Sequence, residues 1–497
     1  MVQFMPSQGR RSAYDPAPNL DVEHIDPTLY NPDLAPVAGQ DRSWGWFEIF
    51  NVWSNAAQSL FGYTLAASLF LSYGLNGWAV FAAIVLAGVI VMALVNLSGR
   101  PSVTYGIPYP VMARASMGVY GANFPALIRG LVAIFWYGAQ TYIASTAIAL
   151  LITALGFSDD GARFLGLTTI GWISFVIVWA LQVALFWRGI EWLRTFLNWA
   201  GPGVYVVMIA LMAILWVRAG GGLMSEVGRI FQGAGSHPGG SVAAFLAVVG
   251  TMVAYYAAVI LNYGDFSRYV RSQSDMKRGN LIGLPLNMAF FAFIALFVTG
   301  GTAVVFGERL TNPTDIVGRV DSLALTIVAA LTFVAATIGI NVVSNFVPPA
   351  NDLSNLMPSR ISFRIGGIIT AVVAFFVGAL YVSVISEWGI ARFVNTLGAI
   401  LAPAYGVMIA DFYLLKRQKL DIQQLFSSGA REPYHYARGW NGRGVIAIVV
   451  AAVFSVLAVW LPALGFLTGF DWIIGALLGG ALYLVLMRRR RSPGAGP

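Results

Sequence analysis

Two residues that could bind a flat organic molecule lie four positions apart in an apolar stretch. Trp136 and Gln140 fall within the sequence FWYGAQT at residues 135–141, so on a helix they share one face. A planar ring can stack on the indole, and the carboxamide of Gln140 both donates and accepts hydrogen bonds. The pair suits a heterocycle with amide edges. A Trp packed between helices, with a Gln that bridges two of them, explains the same pattern equally well.

A second group of polar residues contains Asn341, Ser344 and Asn345. The two asparagines are also four residues apart, and a buried carboxamide in a membrane helix must find a partner on another helix or on a ligand. For either asparagine alone, a bridge between helices is about as good an explanation as a ligand contact. We interpret the proline pair at 348–349, with Asp352, as the cytoplasmic end of this helix.

Residues suited to catalysis or metal binding are sparse in the sequence. The 497 residues include three histidines, which all fall in predicted tails or loops, and no cysteine. A glycine-rich phosphate loop followed by Lys-Ser or Lys-Thr is missing, and no acid, base and nucleophile occur together in a credible arrangement. We therefore predict no catalytic residue, no metal ligand and no cofactor, and we do not expect an enzyme.

Acidic residues fall at the ends of the apolar blocks rather than in their centres. Glu48, Asp265, Asp352 and Asp411 all lie near predicted cytoplasmic ends. An acid in the middle of the membrane would be the first candidate for a proton relay or for the counter-ion of a charged substrate. Its absence favours a neutral substrate.

Long apolar blocks carry these residues. The chain is 58% hydrophobic and 10% charged, whereas soluble domains are about a quarter charged. Blocks of about twenty apolar residues can cross a hydrocarbon core of about 30 Å as helices. We predict an all-α integral membrane protein with about twelve spans, at residues 46–72, 77–97, 123–153, 167–187, 196–217, 241–264, 281–306, 322–348, 364–384, 390–415, 443–463 and 467–487.

Basic residues concentrate in alternate loops between these spans. This distribution places both termini in the cytoplasm and predicts a multi-pass protein of the plasma (inner) membrane. The net charge of +8 follows from the same loops, so we predict the lipid bilayer as a partner and no nucleic acid.

Polar or flexible residues interrupt spans 1 and 6. The interrupting residues are Asn55, Gln58, Ser59 and Gly62 in span 1, and Gly250, Tyr255, Tyr256 and Asn262 in span 6. Either span alone is explained by an ordinary helix with polar residues facing its neighbours, but two such spans five apart indicate a five-plus-five inverted repeat with broken helices 1 and 6. The predicted divisions are an N-terminal tail (1–42), two repeats (43–218 and 241–415), spans 11 and 12 (443–488) and a C-terminal tail (489–497).

Several short motifs, in this order and spacing, resemble the nucleobase–cation symporter family 1, whose members carry nucleobases, hydantoins, allantoin and related heterocycles. The motifs are NPDLAP at 31–36, RSW at 42–44, YGIP at 105–108, ARAS at 113–116, GVYG at 118–121, WYGAQT at 136–141, DFSRY at 265–269, NVVSN at 341–345 and DFY at 411–413. The resemblance runs from about residue 31 to about residue 488.

The resemblance implies a substrate site at the membrane midplane between spans 1, 3, 6 and 8. Carried over by motif, Trp136 would stack on the substrate, Gln140 would form a hydrogen bond with it, and Asn345 would supply an amide contact. Gln58 and Ser59 bracket the position of a polar contact on span 1. We include Asn341, one turn before Asn345, among the candidate substrate-binding residues.

Two positions depart from the family pattern. Where many members have a second Trp on span 6, this chain has Tyr256, with Tyr255 beside it, and both tyrosines are candidate substrate contacts. Sodium-coupled members have a Ser-Thr pair on span 8, where this chain has Gly339 and Ile340. Because two hydroxyl ligands for a hard cation are missing, H⁺ is favoured over Na⁺ as the coupling cation.

These observations predict a monomeric secondary active transporter that imports a neutral planar nucleobase or related heterocycle by cation symport with alternating access. The substrate would be of the uracil, cytosine, purine, allantoin or hydantoin type. An amino-acid transporter of the same inverted-repeat architecture is the alternative, although Gly62 is the only glycine near the break in span 1, where such transporters expose backbone amides. A passive channel is also compatible with the sequence.

Overall fold

The computed structural model describes residues 25–488 except 76, 160, 231–238, 321, 384 and 468. The predicted C-terminal tail at 489–497 and residues 1–24 of the predicted N-terminal tail lie outside the described residues. The α-helices are α1 (Trp46–Ala57), α2 (Leu60–Ser72), α3 (Gly77–Tyr105), α4 (Tyr109–Met117), α5 (Asn123–Ala154), α6 (Thr169–Arg188), α7 (Ile190–Ala219), α8 (Gly222–Ile230), α9 (Gly240–Tyr255), α10 (Ala257–Asn262), α11 (Gly264–Ser267), α12 (Gln273–Leu281), α13 (Asn287–Phe306), α14 (Pro313–Arg319), α15 (Leu323–Asn341), α16 (Val347–Leu356), α17 (Phe363–Ser383), α18 (Ile390–Ile409), α19 (Gly442–Trp460) and α20 (Asp471–Arg488).

Shorter elements join these helices. Two strands, β1 (Arg163–Phe164) and β2 (Leu167–Thr168), form an antiparallel hairpin between α5 and α6. The 3₁₀ segments are Pro32–Leu34, Gly39–Asp41, Ile385–Trp388, Gln423–Phe426 and Pro462–Leu467, and the π-helical segments are Ile282–Leu286, Val342–Phe346 and Ala410–Leu415.

The predicted number and order of spans are confirmed. In the part of the chain that the structure describes, ten helical segments are long and apolar enough to cross a membrane. Two further spans consist of shorter helices, α1 with α2 and α9 with α10 and α11, and these bring the number to twelve. Large apolar side chains such as Trp199 and Val217, which are 80% and 82% exposed, cover the outer surface of α7, as expected for a surface in contact with lipid.

The break in span 1 lies at Gln58 and Ser59. Ser59 is extended, with φ −62° and ψ 150°, and its Oγ accepts a hydrogen bond from the backbone N–H of Gly62 at 3.1 Å, so it caps α2. A Cβ at Gly62 would lie 2.8 Å from the carbonyl oxygen of Ala57. Only a glycine therefore fits against the end of α1 at this point.

The break in span 6 lies beside the break in span 1. α9 ends at Tyr255, Tyr256 leaves the helical conformation with φ −89° and ψ 3°, and α10 begins at Ala257. The Tyr255 hydroxyl lies 3.1 Å from Ser59 Oγ and donates to the carbonyl of Ala56 at 3.0 Å. The prediction that spans 1 and 6 are broken is confirmed, and Tyr255 joins the two breaks.

Span 8 does not end at its proline pair, so that prediction was wrong. The helix continues as α16 to Leu356, and Asp352 is buried within it. The prolines lie in the first turn of α16, directly after the π-helical segment Val342–Phe346. Because that segment already departs from the regular α-helical pattern, the missing proline N–H groups remove few bonds there.

Residues 25–44 pack against one end of the bundle, here called the N-terminal face. Trp44 exchanges two backbone hydrogen bonds with the end of span 6, receiving one from Arg271 N–H at 2.9 Å and donating one to the Tyr269 carbonyl at 3.0 Å. Asn31 Nδ2 donates to the carbonyl of Pro358, after span 8, at 3.0 Å. This segment therefore connects spans 6 and 8 at the N-terminal face.

Candidate substrate site

A small cavity, with room of about 20 Å³ for the centre of a water-sized sphere, lies where the breaks in spans 1 and 6 meet spans 3 and 8. The lining residues are Ala56, Trp136, Gln140, Tyr255, Tyr256, Ala258, Val259, Ile340, Ser344 and Asn345.

Three neighbouring rings hold Trp136 in place. Its indole meets Phe61, Tyr255 and Phe393 in edge-to-face contacts, with centroid distances of 4.9, 5.6 and 5.2 Å. Edge-to-face pairs of this kind are favourable because the positive edge of one ring meets the negative face of the other. The contacts fix the orientation of the indole, and Trp136 lines the cavity together with Gln140.

Two polar side-chain atoms at the cavity have no hydrogen-bond partner among the described residues. They are Gln140 Oε1 and Ser344 Oγ, and both are buried. Buried polar groups are almost always hydrogen-bonded in folded proteins, so these two atoms are available to a bound molecule. Gln140 was predicted as a substrate contact, whereas Ser344 was noticed in the sequence but not proposed as one.

The two asparagines of span 8 have different surroundings. Asn341 Nδ2 donates to Gln182 Oε1 at 2.6 Å, Tyr137 O at 3.1 Å and Thr141 Oγ1 at 3.3 Å, so this side chain joins spans 3, 4 and 8 and does not line the cavity. Asn345 lines the cavity, and its Nδ2 donates to Asn341 Oδ1 at 2.9 Å. Asn341 thereby orients Asn345, and a bridge between helices describes Asn341 better than a ligand contact.

Tyr255 and Tyr256 both line the cavity. Tyr255 holds the two breaks together through its hydroxyl, and its ring lies parallel to Phe61 at 6.0 Å. Tyr256 meets Trp53 edge-on at 5.9 Å. These rings supply the aromatic part of the span 6 lining of the cavity.

The two candidates on span 1 do not line the cavity. Ser59 caps α2, and Gln58 lies beside the Tyr205 hydroxyl of α7. Residues 339 and 340 stand where sodium-coupled family members have a Ser-Thr pair. Ile340 lines the cavity, and a Cβ at Gly339 would lie 3.2 Å from Asn55 Oδ1.

A buried group of three ionisable residues was missed. Arg129, Asp265 and Asp352, from spans 3, 6 and 8, are at most 1% exposed. Asp265 and Asp352 do lie near the ends of their spans, as predicted, and Arg129 lies in the second turn of α5, but the burial of the three side chains was not predicted. Arg129 fell inside the predicted span 123–153, and a charge within an apolar block was the signal that could have identified it.

Comparisons with known proteins agree with this architecture. Residues 36–476 match the family described as permeases for cytosine/purines, uracil, thiamine and allantoin. An allantoin permease of Bacillus subtilis is 34% identical over 93% of this chain and 93% of its own length, and a purine-uracil permease of Arabidopsis thaliana is 30% identical over 94% and 79%.

Solved structures give the same fold. Mhp1, a nucleobase–cation-symport-1 family transporter with bromovinylhydantoin bound, superposes with a TM-score of 0.72 at 23% identity, over 93% of this chain and 96% of that chain. A Na⁺-coupled sialic acid symporter gives a TM-score of 0.65 at 13% identity, over 93% and 92%. The resemblance to the nucleobase–cation symporter family 1 is confirmed, and the chain belongs to this family of heterocycle permeases, which are membrane transporters and not enzymes.

Proposed function

We propose that the protein imports a neutral planar heterocycle, with allantoin as the first candidate, by alternating access coupled to a cation. The lining of the cavity supports this proposal: an oriented indole, two carboxamides and a serine hydroxyl surround one buried space. Gln140, Ser344 and Asn345 match the alternating N–H and C=O groups of a cyclic ureide, and Trp136 matches its flat ring.

The lining of the cavity supports an uncharged substrate. The described residues that line it include no Asp, Glu, Lys, Arg or His. A charged substrate in a buried site needs a counter-charge or several hydrogen bonds to replace its hydration. Allantoin is chosen ahead of uracil and hydantoin because a relative that is 34% identical over nearly the full length is named an allantoin permease.

H⁺ remains the favoured coupling cation in this proposal. Gly339 and Ile340 supply no side-chain oxygen where sodium-coupled members have two hydroxyl groups, and the Ile340 side chain faces the cavity instead. We further propose that the protein acts as a monomer in the plasma membrane, with its N-terminal face and both termini in the cytoplasm.

The break in span 1 disfavours the alternative of an amino-acid transporter. The substrate carboxylate would need free backbone N–H groups at the start of α2. Leu60 N–H instead donates to Thr337 Oγ1 at 3.2 Å, and Gly62 N–H donates to Ser59 Oγ.

Uptake of radiolabelled allantoin by cells that lack their own permeases tests the proposal. Trp136→Ala is expected to lower the initial uptake rate about twofold to tenfold, because stacking on a ring contributes about 0.5–1.5 kcal/mol beyond the buried area. Trp199→Ala, at a lipid-facing position, is the matched control and should transport as wild type at equal membrane abundance. Either of two results would contradict the proposal. One is that cells expressing the wild-type protein accumulate no allantoin, uracil or hydantoin, and the other is that uptake is unchanged in the Trp136→Ala variant.

A further inference from the structure

Three buried ionisable side chains from three spans lie close enough to interact electrostatically. Arg129 lies in the second turn of α5, Asp265 in α11 and Asp352 in α16. Arg129 interacts electrostatically with both acids. The Asp352 carboxylate lies against α5, since a Cβ placed at Gly130 would be 3.7 Å from Asp352 Oδ2. The group therefore contains two buried acids and one buried cation that interact electrostatically.

Asp265 has the surroundings of an ionised carboxylate. Its Oδ1 accepts a hydrogen bond from the Tyr109 backbone N–H at 2.9 Å, and its Oδ2 accepts one from Asn262 Nδ2 at 3.1 Å. Arg268, from the same end of span 6, adds a second positive charge that acts on Asp265. Donors and positive charges of this kind stabilise the anionic form of an acid.

Asp352 has different surroundings. Neither of its carboxylate oxygens has a hydrogen-bond partner among the described residues, although the side chain is 1% exposed. Tyr109 and Asp265 are the titratable groups that face it besides Arg129. A buried carboxylate without donors loses its hydration and gains few contacts in return, so the neutral acid is the form that suits this site.

Arg129 connects the acids to the substrate cavity. Its Nη2 donates to the Ser344 carbonyl, within the π-helical segment of span 8, whereas Nε and Nη1 have no hydrogen-bond partner in the described chain. Ser344 and Asn345 line the cavity. A charge that appears on Asp352 would attract the guanidinium away from the Ser344 carbonyl, and the cavity wall would lose a support.

We propose that Asp352 binds the proton that drives transport, and that Arg129 transmits its protonation state to Ser344 and Asn345. This proposal rests on the proposed transport function. A proton from the water on the side where the cavity is open adds to the Asp352 carboxylate and gives the neutral acid. After the cavity opens to the other side, water re-enters the site, the O–H bond breaks, and the proton leaves to that side.

Proteoliposomes with an internal pH dye and radiolabelled allantoin test the proposal. Asp352→Asn is expected to keep allantoin–allantoin exchange within about twofold of wild type, because the amide imitates the neutral acid. It should lose accumulation driven by a pH gradient and proton entry on allantoin addition. Asp411→Asn is the matched control: Asp411 is a buried acid of span 10 that accepts from Tyr483 Oη at 2.9 Å, and both activities should persist.

The possible results of this experiment distinguish a failure of the proton site at Asp352 from a failure of the proposed transport function. Allantoin-induced proton entry that persists in Asp352→Asn would overturn the proton site and leave the transport function intact, whereas wild-type liposomes that carry no allantoin would overturn both. If Asp352→Asn cannot be purified folded, Asp352→Glu replaces it. The pH of half-maximal accumulation should then rise by about 0.4 units, the difference between the two free acids, and an unchanged pH profile would overturn the site.

Discussion

Asn341 and Asn345 are one helical turn apart, but only Asn345 lines the cavity. Asn341 is fully buried and donates to groups on spans 3 and 4, so its contacts hold helices together. Asn345 receives its orientation from Asn341 and lines the cavity. The Asn341 side chain therefore holds helices together, whereas the Asn345 side chain, one turn later, is placed to bind a substrate.

Alanine at these two positions is expected to separate affinity from stability. Asn345→Ala should raise the KM for allantoin about threefold to tenfold, the equivalent of one hydrogen bond, and should lower the thermal midpoint only slightly, because Asn341 Oδ1 alone loses a donor. Asn341→Ala should lower the thermal midpoint more, because it leaves the buried Gln182 Oε1 without this donor. Uptake kinetics and thermal unfolding of the purified variants measure the two effects. Equal effects of the variants on both quantities would contradict the assignment.

The sequence alone could predict that Trp136 and Gln140 lie on the same face of one helix, because their spacing is visible within a single span. It could not decide between the two interpretations of Asn341, because the deciding partner, Gln182, lies 159 residues away on another span. Gln58 and Ser59 were placed near the substrate by analogy with the family. The structure instead places Ser59 at the cap of α2 and Gln58 beside α7, and a local pattern carries no information on either neighbour.

At the scale of elements, the two breaks form one structural unit. Ser59 caps α2, and the Tyr255 hydroxyl lies within hydrogen-bond distance of both Ser59 Oγ and the Ala56 carbonyl at the end of α1. The breaks were predictable because polar residues and glycine interrupt two otherwise apolar spans. The continuation of span 8 through its prolines was not predictable, because the π-helical segment that accommodates them has no sequence pattern as clear as a proline pair.

Substitutions at the break are expected to weaken this unit. Gly62→Ala places a methyl group 2.8 Å from the Ala57 carbonyl oxygen and 3.0 Å from the Tyr255 hydroxyl, so it should lower both stability and uptake. Ser59→Ala should cost about 1 kcal/mol through the lost helix cap. Thermal unfolding checks both, and Gly221→Ala, where a Cβ meets no atom within 4 Å, is the control. A Gly62→Ala variant as stable as Gly221→Ala would contradict this account of the break.

At the scale of the whole molecule, the twelve spans and their order followed from composition and apolar periodicity. The sidedness of the protein stays a prediction, and the absence of cysteine makes it testable. A single cysteine at Arg431, in the exposed loop before α19, should react with a membrane-impermeant maleimide only after the cells are opened. A cysteine at Glu308, just after the C-terminal end of α13 and on the predicted outer side of the membrane, should react in intact cells. Labelling in the reverse pattern would contradict the predicted orientation.

The contacts of Trp44 and Asn31 at the N-terminal face have a consequence for kinetics. Under the alternating access proposed above, spans 6 and 8 would separate at that face before the substrate leaves there, so the contacts of residues 25–44 would have to break first. A variant that weakens these contacts should then change the turnover rate and leave substrate affinity unchanged.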